Sequence, residues 1–459
     1  MAEELTDDVK TLVGNPKKAI LSMTLPIALS NLVQSANNMI DAIWVAGLGT
    51  AALAATGVAF PYFFIVMGIG NGIGIGASQA IARRIGAEDY SGTHKVAAQA
   101  FYMTLLASII VTLVFTLFAE PLMVLSAAGD YMEECLAYAY PIFMTLPIAL
   151  MCSLFTALLR AEGAAKRSMN MNVAGAVINI ILDPIFIYGF GWGIAGAAWA
   201  TVLSMVVSLV MGAYWYFGKK DTFVRIPLGH FRFDGALDRD ILKVGIPASL
   251  EMVLMSLTGI VMNQIILSVD PVDGLAVYST GWRALNMLTI PAMALGFALV
   301  PVCAAAYGAK RYDKIKEGFD YSLKFGLIVM VVITVFTLVA APLIVAMFTY
   351  ADVSKPLAPA MTEFIRIGSL FLPAMALGYS ASGIFQGLGM GTKSLICTFI
   401  MNIMRLPICY LMSLTGSLVL VWWGLALSEN LGSIIALVWG VIVLRVLMGE
   451  YAKVKARQA

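Results

Sequence analysis

Apolar residues in this chain gather into long unbroken runs separated by short clusters of charge. Twelve runs stand out, at about 18–45, 52–78, 95–118, 135–158, 168–189, 194–217, 240–268, 276–305, 321–347, 363–386, 394–414 and 419–444. Each matches or exceeds the ~20 residues a helix needs to cross a bilayer. The pattern predicts an all-α polytopic membrane protein of twelve transmembrane helices. Several runs contain proline (Pro26, Pro61, Pro147, Pro184, Pro247, Pro291, Pro373, Pro407). Bilayer helices tolerate it because neighbours and water re-satisfy the freed backbone groups. The polar start MAEELTDDVK leads into a full-length run and lacks the basic start and short core of a cleavable signal peptide.

Composition narrows the class. Over 459 residues, 60% are hydrophobic and only 12% charged, whereas a soluble domain carries about 25% charge. A net charge of +2 points to no nucleic-acid partner. The five cysteines are scattered and fall mostly inside apolar runs, as small buried hydrophobes do. His94 and His230 sit in charged loops and form no metal motif, so no cofactor is expected.

Charge also orients the helices. With the N-terminus inside, 25 of the 29 Lys and Arg fall in cytoplasmic segments, while Lys355 and Arg366 fall outside and Arg283 and Arg405 within spans. Such a bias follows the positive-inside rule. It predicts a multi-pass protein of the cell membrane with both termini cytoplasmic.

The chain repeats itself. KKAILSMTLPIALSNLVQS (17–35) resembles RDILKVGIPASLEMVLMS (239–256), aligning Pro26 with Pro247 at an offset of 221. IGAEDY (85–90) resembles YGAKRY (307–312) at offset 222, and TLPIALMCSLFTALLRAEGAAKRS (145–168) resembles FLPAMALGYSASGIFQGLGMGTKS (371–394) at offset 226. Two six-helix bundles follow: an N-lobe over 1–217, a linker over 218–239, a C-lobe over 240–445 and a tail over 446–459. Six is even, so the repeat is parallel, with an axis along the membrane normal, and alternating access across a cleft is the mechanism it allows.

Ionisable residues within spans are functional candidates because holding them there is costly. Asp41, Asp183, Glu251 and Glu429 are the acids; Arg283 and Arg405 are the bases. Asp41 and Asp183 lie at similar depth in the N-terminal half, with Asn179 one turn from Asp183 and Thr201 at comparable height. This all-oxygen set suits Na⁺; equally, burial and mutual repulsion suit proton carriage. Neither aspartate has a basic residue in the membrane part of its own half. Glu429 is expected either to pair with Arg283 or to function, and Glu251 to pair with Arg405. In the repeat, Asn179 falls opposite Arg405 and Asp183 opposite Cys409, so the halves have specialised. GIGNGIGIG (68–76) lacks a preceding strand; its Gly68, Gly72 and Gly76 form a face for close helix packing.

The sequence resembles the multidrug and toxic compound extrusion (MATE) family over about 15–445. The resemblance rests on NPKKAI…LPIALSNLVQSANNMIDAIWVAGLG (15–49), ASQAIARRIGAED (77–89), LLRAEGAAKRSM (158–169), INIILDPIFIYGFGWGIAGAAWAT (178–201) and FQGLGMGTKS (385–394). It looks most like the DNA-damage-inducible F branch. The resemblance implies a V-shaped transporter, not an enzyme, that exports amphipathic, often cationic compounds in exchange for H⁺ or Na⁺. It places the coupling site at Asp41, Asn179, Asp183 and Thr201. It also implies a substrate cleft that includes Tyr138, with Asn37, Asn38, Ser153 and Thr156 as further lining residues, and a monomer surrounded by membrane lipid. Asn37 departs from an aromatic, and Cys152, Ser153 and Thr156 from an Asn-rich patch. The alternative within the same superfamily is a flippase for a lipid-linked precursor, which would favour a basic cleft. A membrane enzyme would need chemistry that the spans do not offer, and a channel a polar ring in both lobes.

Overall fold

A computed structural model of the protein describes residues 5–125, 131–227, 229, 232–348 and 355–458; His230 lies outside them. Among the described residues there is no strand. The helices are α1 (Asp7–Val13), α2 (Pro16–Ala46), α3 (Thr50–Gly86), α4 (Tyr90–Leu117), α5 (Ala119–Leu125), α6 (Met132–Met144), α7 (Leu146–Ala161) and α8 (Ala165–Pro184). They continue with α9 (Gly193–Ala213), α10 (Gly235–Val269), α11 (Gly274–Gly308), α12 (Tyr312–Ala346), α13 (Ala358–Ser369), α14 (Leu372–Gly387), α15 (Gly391–Ser413) and α16 (Leu418–Gln458). Among the described residues, ten helices are long and apolar enough to cross a membrane. The count reaches twelve when the bent pairs α6–α7 and α13–α14 each form one span.

Those bends are where the structure departs from twelve unbroken runs. The runs at 135–158 and 363–386 break by 52° and 47°, just before Pro147 and Pro373, which the repeat aligns. Proline has no N–H to give the carbonyl four residues back. In the second bend that carbonyl belongs to Ser369, and the Thr334 hydroxyl of α12 reaches it at 3.1 Å while also donating to the Met330 carbonyl of its own helix at 2.8 Å. In the first bend the carbonyl four residues back is that of Phe143, and the Thr145 hydroxyl donates instead to the Pro141 carbonyl at 2.6 Å. One local sequence, used twice, makes one hinge twice.

The turns repeat as well. Glu88 and Lys310, aligned at offset 222, both adopt left-handed φ, at 59° and 55°. Each is followed by an N–H that reaches back five residues, Asp89 to Arg84 and Arg311 to Ala306, both at 2.9 Å. Gly163 and Gly389 share a second such turn, with φ of 86° and 73°. Without a Cβ, glycine meets no penalty there.

Packing divides the chain into two compact units, Met1–Gly14 with Leu29–Met252, and Asn15–Ala28 with Val253–Ala459. The division runs through α2 and α10, so each unit includes the Lys/Arg-rich end of a helix from the other half of the sequence. In the first unit, a Cβ at Gly68 would stand 3.6 Å from Met252, and at Gly72 or Gly76 it would collide with Ser249 and with the Ile241 carbonyl. The glycine face is therefore the seat of α10, where Arg83 and Arg84 also hold Asp240 at 2.7 and 2.8 Å. In the second unit, Lys17 of α2 meets Glu317 of α12 at 3.2 Å.

Each unit has its own apolar core. The first is built around Phe155, Leu158, Ile81 and Tyr216, with a second cluster around Tyr62 and Phe143. The core of the second unit is built around Phe364, Phe371, Tyr278 and Trp422.

Candidate functional site

Helices α2 and α8 run side by side in constant register. The Asn172 amide donates to Ser30 Oγ at 2.8 Å and the Asn37 amide to Asn179 Oδ1 at 2.9 Å, both pairs separated by 142 residues. Asp41 and Asp183 have the same separation, and their carboxyl groups meet within hydrogen-bonding range. Asn179 extends the chain by donating to Asp183 Oδ1 at 3.0 Å. The result is a relay Asn37–Asn179–Asp183–Asp41, with Asp183 wholly buried.

The end of α8 sets this geometry. Pro184 follows Asp183 and removes an N–H, and the helix widens into a π turn over Ile185–Gly189, closed by the Phe190 N–H on the Ile185 carbonyl at 2.8 Å. Such turns recur at functional sites. This one leaves Asp183 one residue before the end of the regular helix.

Three buried oxygens in the relay have no hydrogen-bond donor among the described residues: Asn37 Oδ1, Asp41 Oδ1 and Asp183 Oδ2. Two bare carboxylates cannot stay this close in a medium of low dielectric, because their repulsion adds to the cost of removing each from water. Either a shared proton or a bound cation resolves the conflict, and the unpartnered oxygens are the atoms that would take it. Tyr138 of α6, half-buried, lies within electrostatic reach of both acids.

Thr201, Asn38 and Thr156 make their hydrogen bonds outside the relay. Thr201 of α9 donates to the Ala197 carbonyl of its own helix at 3.1 Å and makes no hydrogen bond to the aspartates among the described residues. Asn38 is exposed and accepts from Gln34 at 3.3 Å. Ser153 and Thr156 lie on α7; the Thr156 hydroxyl donates to the Ser153 carbonyl at 2.8 Å, and Ser153 faces Gly70 of α3. Asn37, expected as a lining residue, instead begins the relay.

The pairing expected for Glu429 is corrected. Glu429 is bound by Arg405, not Arg283. A short turn folds α15 back against α16, which sets positions 405 and 429 on facing turns, while Arg283 of α11 is exposed. Glu251 is half-buried on α10. The Arg405 guanidinium also lies 5.8 Å over the Trp282 ring, a favourable cation–π placement. Sequence reasoning missed the Ser30–Asn172 pair. Its signal was available: both residues precede the Asn37–Asn179 pair by seven positions, two helical turns.

The MatE family model matches residues 26–185 and 247–411, one segment in each half of the repeat. The chain belongs to the MatE family. It is similar to the multidrug export protein MepA of Staphylococcus aureus strain MRSA252, 28% identical over 426 residues and 92% of each chain. MepA of Staphylococcus haemolyticus is 25% identical over 425 residues, again 92% of each. A solved MATE structure in complex with MaL6 is 34% identical with a TM-score of 0.95, covering 97% of this chain and 100% of that one. A MOP superfamily transporter from Pyrococcus furiosus matches with a TM-score of 0.94 at the same identity and coverage. MatE proteins are transporters, so this chain moves solute across a membrane and is not an enzyme.

Proposed function

We propose that this MatE protein is a multidrug efflux antiporter that exports amphipathic, often cationic organic compounds in exchange for H⁺ or Na⁺. The observation that carries the reading is the contact of Asp41 with Asp183, flanked by oxygens that have no donor. An ion entering from outside binds there; Asn37 and Asn179 orient the acids, and Thr201 and Tyr138 border the site. Binding favours the state that releases substrate outward, and carriage of the ion inward resets the protein. The ion drives export only if it binds the two states with different affinity. The Lys and Arg bias supports a reading with both termini in the cytoplasm and the protein in the cell membrane, where it works as a monomer among lipids and without nucleic acid.

The test is efflux of a fluorescent organic cation from proteoliposomes, driven in turn by a pH gradient and by a Na⁺ gradient. Transport under one gradient, lost in Asp41→Asn, supports the reading and names the ion. Equal transport by the variant removes the site. Transport under neither gradient, with a lipid-linked precursor moved instead, would transfer the chain to the flippase reading.

A further inference from the structure

The ion cycle proposed above makes no use of the acid buried in the second unit. Glu429 is 1% exposed and held by Arg405, yet its Oε2 has no hydrogen-bond partner among the described residues. Asn402 lies one turn before Arg405 on α15, and Ser433 one turn after Glu429 on α16. The two helices are antiparallel, so both steps lead the same way and bring Asn402 and Ser433 to one level. Packing agrees: a Cβ on Gly432 would stand 3.0 Å from that of Met401, and one on Gly378 would stand 3.0 Å from Ser433 Oγ. Asn402 Oδ1 and Ser433 Oγ are also buried without a partner among the described residues. Two unpartnered oxygens thus stand at one level, a turn away from a carboxylate that has an unpartnered oxygen of its own and whose counter-charge belongs to the chain itself.

The repeat gives this arrangement a meaning. Arg405 falls on Asn179 at offset 226, the residue whose amide holds Asp183 in the other half. We propose that Asn402, Glu429 and Ser433 form a second site for a small cation, H⁺ or Na⁺, kept closed because the Arg405 guanidinium is its resident cation. The Trp282 ring also faces that guanidinium, at 5.8 Å. Arg405 thereby restricts ion binding in the native chain to the acid pair of α2 and α8, and its removal opens the site at Glu429. The other titratable groups in electrostatic reach of the pair are Tyr278 of α11 and Cys409 of α15. Of the other helices packed on α16, α13 carries Glu363 and Arg366, both exposed, and α14 carries Tyr379.

The experiment counts cations bound by the purified full chain. Proton uptake is measured by back-titration between about pH 9 and about pH 5, and ²²Na⁺ by equilibrium dialysis. The background is Asp41→Asn/Asp183→Asn, which silences the first site, so failure of the transport reading and failure of this one are separable. With Arg405 present the background binds no cation at the second site. Adding Arg405→Ala gains about one cation per chain, as proton or as Na⁺ according to the arm that responds. Adding Glu429→Gln on top removes the gain, and Arg405→Lys, still a tethered cation, shows none. A folded Arg405→Ala protein that gains neither ion, or a gain that survives Glu429→Gln, overturns the proposal. Chemical rescue covers a poorly folded variant. Low millimolar methylguanidinium should raise the melting temperature of Arg405→Ala and leave Arg405→Ala/Glu429→Gln unmoved; equal response of the two also overturns it.

Discussion

At position 179 of α8 an amide reaches Asp183 and leaves acid oxygens bare, while at the aligned position 405 of α15 a guanidinium closes on Glu429. Both helices bury charge in an apolar surround. The first leaves a deficit of positive charge that only something from outside can fill, and the second meets it with a cation of its own chain. A group meant to exchange ions must have an incomplete partner set, since a complete one costs as much to open as to build. A repeat that began with equal halves has kept the fold twice and the buried acid pair once.

Removing the deficit should have the largest effect. Asp183→Asn or Asp41→Asn is expected to reduce gradient-driven efflux by about 100-fold, with the protein still folded by circular dichroism, because an amide can satisfy its neighbour without a proton. The same change in the other half should behave differently. Glu429→Gln or Arg405→Ala should lower stability in chemical unfolding by about 3–5 kcal/mol, and a paired apolar replacement of both should regain most of it. If the single variants melt like the native protein, the closed pair has no structural weight and the contrast fails.

The hinges offer a finer comparison. Thr334→Val strips the Ser369 carbonyl of its donor from a neighbouring helix and should cost about 1–2 kcal/mol. Thr145→Val removes a bond made within its own bend, and the expected loss is smaller. Equal losses in thermal melts would show that the two hinges are held alike.

The smallest global effect is expected outside the bilayer. Glu162, just past α7, is buried and accepts the Val224 N–H at 2.8 Å. Burial pushes its carboxyl up to about 8, against the pull of the Val224 bond and Arg167. The folded state therefore holds a proton that the unfolded chain releases near its ordinary pKa of about 4.5. Stability from this group is full at the acid side and falls as pH rises through that window to about 8. Leu388 takes the aligned place in the other half. Hydrogen exchange at Val224 should quicken with pH beyond the intrinsic rate change, and Glu162→Gln should flatten that excess.

Much of this was legible in the chain. Span positions, the repeat and the packing role of the glycine face follow from run length and small-residue spacing, which the bilayer leaves little freedom to override. Asp41, Asn179 and Asp183 could be grouped because depth in a helix is linear in residue number. The partner of Glu429 could not be read in the same way. Depth ranks Arg283 and Arg405 alike, and only the rotation of α15 against α16 decides which one reaches. Likewise Thr201 has the right height, but its hydroxyl spends its proton on its own helix.

The division of the chain through α2 and α10 has a consequence for biosynthesis. The first unit is completed only by residues up to Met252, so a ribosome that has delivered α9 has not yet delivered the helix that covers Gly68, Gly72 and Gly76. Until α10 arrives, that glycine face has no protein to seat it, and the nascent half must wait in the membrane for its last piece. Translation that stalls in the loop before Gly235 should therefore hand the quality-control machinery an unfinished unit rather than a finished half-transporter.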